Sequence, residues 1–407
     1  MADFASVVRQ FMADRGMSLR GLARAVPCDP SYLSKMLNGR KPVSPHLAVR
    51  VDDALGAGGE IRRAATSITE SATPREVRSS SRADQGITED VIDVLGRIQR
   101  LSRTVNPEIV QHLQDNLRYT IVRYEKLEHS RIVPTLLKQR AWVDELLDEC
   151  SHPRQRQRLF EIAAAASGVL GYVAVGRGDY PLARAYCLEA FHLSDFAQDT
   201  NLQAWARGLQ SFCEYYAGQY GEALRLAEDG LNYAQSGPQS VRLTVNGIAR
   251  SLGKLGDAEG VHRAVDRAYD LMSRNDVPGG VPSSIALECY SVAQTASNAA
   301  TAYVSLGMPE KVQQYIGVAL PDISKSDSPW SRSLVMIDLA RSLISCKDAD
   351  LDHAVALVLE ALGISADRPI ISVRQRASEF VRDAAGRWGN LSQVSLVRDA
   401  LPCTEAH

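Results

Sequence analysis

The side chains best suited to chemistry in this 407-residue chain sit close to its start. Ser31, Tyr32, Ser34 and Lys35 share one short stretch with Leu33, Met36 and Leu37. On a helix the three apolar residues form one face, which leaves two hydroxyls, a phenol and an ammonium on the other. That set of donors and acceptors suits base edges and phosphates in a DNA major groove. Nothing comparable points to catalysis. The chain has no Gly-rich loop ending in Lys-Ser/Thr, no Gly-x-Ser-x-Gly and no His-Glu-x-x-His. Its eight histidines stand alone, and Gly56-Ala57-Gly58-Gly59 follows a helical pattern rather than a strand. Arg154, Arg156 and Arg158 read as a solvated face, with a phosphate contact as the alternative. The expectation is a non-enzyme without cofactor or metal.

The elements that position the first constellation are announced by their ends. Residues 3–14 are amphipathic, with Phe4, Val7, Val8, Phe11 and Met12 on one side, and Gly16 closes them. Ser18 caps a short helix carrying Leu19, Leu22 and Ala23, which Pro27 ends. Asp29-Pro30 restarts the chain and Asn38-Gly39 stops it; Ser44-Pro45 begins a fourth helix with Leu47, Val51 and Leu55. Two short helices joined by a tight turn and packed on two others make a helix-turn-helix unit, expected over residues 1–57.

Charge divides along the same boundary. Residues 1–56 carry eight Lys/Arg against five Asp/Glu, whereas the chain as a whole carries −2. A basic head on an acidic body fits a nucleic-acid reader joined to something that does not bind DNA. The seven cysteines (28, 150, 187, 213, 289, 346 and 403) form no Cys-x-x-Cys pair and read as small buried residues in a reducing compartment. With no continuous apolar stretch near twenty residues and no apolar leader, a cytoplasmic location is expected. Ser, Thr and Arg dominate 58–86, expected mostly as a linker, although Glu60 to Ile68 also reads as an extension of the helical unit.

Ser18-Leu19-Arg20-Gly21-Leu22-Ala23, followed by Pro30 to Asn38-Gly39-Arg40-Lys41-Pro42, resembles the Cro/C1-type (XRE) helix-turn-helix family over about residues 4–56. The resemblance implies that Ser31, Tyr32 and Lys35 face bases and that Ser18, Arg20, Arg40 and Lys41 hold phosphates. It further implies a homodimer on an inverted-repeat operator.

From residue 87 to the end helical periodicity is nearly continuous, and it repeats. A small turn residue is followed five and twelve residues later by further small or apolar residues: Gly178 by Ala183 and Ala190, Gly218 by Ala223 and Gly230, Gly256 by Val261 and Ala268. The series continues with Gly307, Val312 and Ala319, then Ala349, Ala354 and Ala361, and more weakly Gly389, Val394 and Leu401. Gly171, Ser211, Ala249, Ala300 and Ser342 sit seven residues before the turns. Small residues at such places let two helices of a hairpin approach and the next hairpin stack on them. The pattern resembles the tetratricopeptide repeat, at 38–51 residues per unit rather than that family's 34. The fold expected is therefore all-α: a small helix-turn-helix domain followed, over 87–407, by a right-handed α-solenoid of tetratricopeptide-like hairpins.

In that repeat the first helix of each hairpin lines the concave side. The resemblance then implies a groove formed by Tyr172, Trp205, Phe212, Tyr215, Asn246, Arg250, Gln294 and Thr301, aromatic pockets beside amides that pair with a peptide backbone. Trp205 and Phe212 suit inter-repeat core as well. The combination resembles the RRNPP peptide-sensing regulators, and the Ala-, Arg- and Gly-rich composition looks actinobacterial. A short peptide or another small effector is the expected ligand. The second reading is an adaptor whose repeats bind a partner protein.

Overall fold

The computed structural model describes residues 4–26, 28, 30–38, 45–69, 90–101 and 105–401, and every regular element among them is helical. The protein is all-α. It divides into two compact units, 1–87 and 88–407.

The first unit holds α1 (Phe4–Asp14), α2 (Leu19–Ala25), α3 (Pro30–Leu37), α4 (Pro45–Leu55) and α5 (Glu60–Thr69). Phe4, Val8, Leu22, Leu33, Met36, Val51, Leu55 and Ile61 meet in one core and are almost wholly buried. The Ser18 side chain accepts from the Gly21 amide at 3.1 Å and so starts α2. α5 falls where a linker is mostly expected. Its start is tied down by Asp52 of α4, whose buried carboxylate accepts from the amides of Gly59 (2.8 Å) and Ile61 (3.0 Å). An anionic cap on the first-turn amides, together with burial of Ile61, makes this stretch part of the unit.

The second unit begins with α6 (Val91–Leu101), α7 (Pro107–Arg123), a 3-10 turn (Tyr124–Lys126) and α8 (His129–Glu149). Helical hairpins follow: α9 (Pro153–Arg177) with α10 (Tyr180–Phe196), and α11 (Thr200–Tyr216) with α12 (Tyr220–Ala234). The next hairpin has a composite first helix, α13 (Gln239–Arg242) passing through a π-helical stretch (Leu243–Ala249) into α14 (Arg250–Leu255), paired with α15 (Ala258–Met272). Then come α16 (Val292–Ser305) with α17 (Pro309–Ile323), α18 (Pro329–Ser345) with α19 (Leu351–Ile364), and α20 (Ile371–Trp388) with α21 (Ser392–Ala400).

The turns explain the hairpins. Gly178 and Gly256 end their helices at φ +81° and +82°, a left-handed conformation that glycine adopts without a Cβ penalty. The following aspartates start the next helices: Asp179 accepts from Leu182 N at 3.2 Å and Asp257 from Gly260 N at 2.8 Å. The repeated small residues lie where helices touch. Ala183, Ala223, Val261, Ala268, Ala319, Ala354 and Ala361 are fully buried. Ser211 Oγ donates to Ala223 O at 2.7 Å, bonding the two helices of its hairpin directly.

α9 is long and apolar enough to cross a membrane by length and composition, although Glu161 and Arg177 bound its uncharged run, and 78% of its apolar window is buried in the unit's interior. Its face carries Ala163 to Ala166, Gly168 and Gly171 because helices press on it from several sides.

Two features close the stack. The far hairpins return to the first helices: Arg368 Nη1 donates to Glu125 O at 2.6 Å, and Trp330 packs on Tyr124 and His129 while its indole N–H donates to Arg368 O at 2.8 Å. The connection from α15 to α16, residues 273–291, then crosses the first helices of successive hairpins as a strap. Its carbonyls take side-chain donors: Trp205 Nε1 on Ile285 O (3.2 Å), Gln239 Nε2 on Leu287 O (2.8 Å) and Gln294 Nε2 on Pro282 O (3.0 Å). Glu125 Oε1 accepts from Ser284 N at 3.0 Å.

Trp205 is completely buried, and its ring lies against Gly168: a Cβ on that glycine would meet Trp205 Cζ3 at 2.2 Å. Alanine at 168 would gain about 1 kcal/mol of helix propensity. It would also force the ring off a hydrogen bond it cannot keep elsewhere, an overpacking cost of about 1–3 kcal/mol. Gly168→Ala should therefore lower the thermal midpoint of unfolding, and an unchanged or raised midpoint would contradict this packing.

Candidate functional site

The candidate reading surface lies on α2 and α3. Leu33, Met36 and Leu37 bury one face of α3 in the core, and Lys35 projects from the exposed face. Arg9 of α1 fixes the end of α3, donating from Nη2 to Leu37 O at 2.7 Å and to Asn38 Oδ1 at 2.9 Å. Arg20 is exposed on the first turn of α2. Ser18 is exposed as well, but its hydroxyl oxygen is engaged as the α2 cap. Ser31 and Tyr32 lie on α3 with side chains outside the described residues, and Arg40 and Lys41 lie outside them altogether.

Residues 3–65 match a helix-turn-helix domain family. No curated protein matches the chain. The match spans α1 to α5 and includes Asp52 and Ile61. The match supports a DNA-binding regulator.

The second unit holds a cavity of about 80 Å³ against the first helices of its hairpins. Five of the eight groove residues expected from sequence line it: Tyr172, Phe212, Asn246, Arg250 and Gln294. Tyr215 and Thr301 line a smaller recess of about 10 Å³ that shares Tyr216 and Arg376 with the cavity. Trp205 belongs to neither. Its indole is spent on the strap and on Gly168, so this residue is interior core.

The lining is aromatic and polar. Tyr172 stacks on Phe212 with centroids 5.0 Å apart, and its hydroxyl donates to Ser284 Oγ at 3.1 Å. Burial pushes the Tyr172 phenol well above its ordinary pKa, so it remains a donor. Asn246 bridges, with Nδ2 donating to Tyr290 OH at 3.0 Å and Oδ1 accepting from Arg250 Nη1 at 3.0 Å. Gln294 is fully engaged: it completes a capping box with Ser291 and holds Pro282 O of the strap. Thr301 Oγ1 donates to Asp338 Oδ2 at 2.7 Å, and the same carboxylate pairs with Arg376 at 2.5 Å.

Sequence reasoning missed Tyr216, Tyr290, Asn298, Trp330 and Arg376, all of which line the cavity. Tyr290 comes from the strap and Arg376 from the last hairpin, so repeat register alone cannot find them. Tyr216 adjoins Tyr215 at the end of α11 and lies one position beyond the expected register. Burial pushes its phenol up, yet the Arg250 and Arg376 guanidiniums outweigh that and hold it below the ordinary value.

Behind the cavity wall His129 packs at a tilt against Tyr124 and Trp330, with ring centroids 5.2 and 5.7 Å away, and its Nε2 makes no hydrogen bond. Burial first, then Arg177 and Arg368, push its pKa down to about 4. The folded state thus keeps the ring neutral while the unfolded chain protonates near 6.5, so stability is present above that value and is lost as pH falls from about 6.5 to about 4. The loss should reach about 2–3 kcal/mol. Denaturant titrations of His129→Phe should lack this fall; an identical pH profile in the variant would place the titration elsewhere.

Proposed function

We propose that this protein is a cytoplasmic, homodimeric transcription regulator, in which a Cro/C1-type helix-turn-helix domain reads an inverted-repeat operator and the tetratricopeptide-like unit binds an effector that controls operator affinity. The observation that carries the DNA-reading part is the match over residues 3–65, together with Lys35 standing exposed on α3 while its neighbours bury the other face. A single α3 covers only a few base pairs, so two copies on two half-sites supply specific affinity.

For the effector, the strap across the first helices supports a small molecule over an extended peptide. A peptide laid along the first helices would need the carbonyl-pairing donors Trp205, Gln239 and Gln294, and the strap already uses them. The effector shifts the balance between two arrangements of the hairpin stack by its difference in affinity for them, and this is transmitted to the dimer that holds the two reading heads.

A gel-shift series on the protein's own promoter region at several salt concentrations tests the first half. Lys35→Ala should weaken specific binding by about 1–3 kcal/mol and relax discrimination at one position, whereas Arg20→Ala should weaken all sequences alike and flatten the salt slope by about one unit. Unchanged operator affinity in Lys35→Ala would remove α3 from the major groove.

A further inference from the structure

We infer that the cavity in the second unit is a receptor for a small carboxylate, which Arg250 receives. This rests on the effector-binding reading above and adds the chemical class of the ligand.

Arg250 is only 3% exposed, and its partners are all neutral. Nη1 donates to Asn246 Oδ1 at 3.0 Å and reaches Asn298 Oδ1 at 3.5 Å, Nη2 donates to Tyr216 OH at 2.9 Å, and the guanidinium lies 4.2 Å from the centre of the Tyr215 ring. Nε makes no hydrogen bond. A cation removed from water is costly unless an anion compensates it. The neighbouring buried cations follow that rule: Arg376 pairs with Asp338 at 2.5 Å, and Arg341 and Lys254 each reach Glu379 at 2.6 Å. Arg250 has no ion pair among the described residues.

Its surroundings reinforce the excess. Arg242, eight residues earlier on the same composite helix, is also 3% exposed, has Nη1 without a hydrogen bond and lies 5.6 Å from the Tyr290 ring. The π-helical stretch that joins the two arginines is a geometry found often at functional sites. The cavity's own carboxylate, Glu125, is committed to Ser284 N of the strap. Glu125 and Val281 also line an outer depression of about 620 Å³ on the other side of the strap's first residues.

Arg242 does not line the cavity, and of the two arginines that do, Arg376 is paired with Asp338; the one charge left, on Arg250, matches the planar, singly charged carboxylate better than the larger, doubly charged phosphate. Tyr172, Phe212 and Trp330 supply an apolar wall for the rest of the molecule. The carboxylate has two sources, a free small acid or the C-terminus of a short peptide, and the strap favours the former.

The test uses the full-length chain and isothermal titration with acetate, benzoate and N-acetyl-leucyl-phenylalanine, each against its primary amide at matched ionic strength, and with inorganic phosphate. Benzoate should bind, with benzamide weaker by at least about tenfold. Asn246→Asp supplies Arg250 with its own carboxylate and replaces the amide donor to Tyr290 OH by an oxygen that the hydroxyl can donate to; it should raise the thermal midpoint and weaken benzoate by at least about tenfold. Tighter binding of the peptide acid than of benzoate would support the site and assign its source to a chain terminus. Equal binding of benzamide and benzoate would overturn the carboxylate class while leaving an effector cavity. Stronger binding of phosphate than of benzoate, no binding of any acid, or undiminished benzoate binding by Asn246→Asp would each overturn the proposal. If benzoate binds as expected but operator affinity stays the same, the site stands and the effector reading falls.

Discussion

Backbone carbonyls carried into the interior of a helical stack must find donors there, and the way the strap's carbonyls do so governs the rest of the second unit. A segment without helical hydrogen bonds cannot be buried unless side chains replace them. Trp205, Gln239 and Gln294 do this from three different helices. Those contacts place Ile285 in the core, set Tyr290 beside Asn246 and Arg242, and leave a cavity rather than an open groove.

The same constraint decides which helices can come close. Trp205 reaches the strap because Gly168 offers its ring a flat place on α9, and Gly171 admits Cys187 where a Cβ would lie 2.7 Å from the sulfur. Alanines and glycines repeated at fixed offsets are thus the price of packing helices around a filled interior. The seam between Arg368 and Glu125 completes the enclosure, with Trp330 and the neutral ring of His129 packed across it.

Charge is arranged with similar economy in most of the interior. Asp338 serves Arg376 and Thr301, and Glu379 serves Arg341 and Lys254. Against that background Arg250 stands out among the cavity's residues because its contacts supply hydrogen bonds to Nη1 and Nη2 but no charge. A positive group held among amides and phenols remains free to answer an incoming anion, and it sits on a composite helix that passes through π-helical winding.

Much of this was legible from sequence through local rules. Ser18 as a cap, Gly178-Asp179 and Gly256-Asp257 as stop-and-start turns, and buried small residues such as Ala183, Ala223 and Ala268 follow from backbone conformation and helix periodicity, which neighbouring residues dictate. Repeat register also brought Tyr172, Phe212, Asn246 and Arg250 to one place. Tertiary structure alone decided the rest. Residues 60–69 became a helix of the first unit because Asp52 captures their amides, and Trp205 became core rather than groove because Gly168 and Ile285 lie against it. The longest unit, of 51 residues, reads in sequence only as a longer spacing; that its residues 273–291 form a strap across the stack depends on donors up to eighty residues away along the chain. Hydrogen-bond and charge partners distant in sequence carry no local signature, so only the folded chain reveals which polar groups are satisfied and which are left to bind something else.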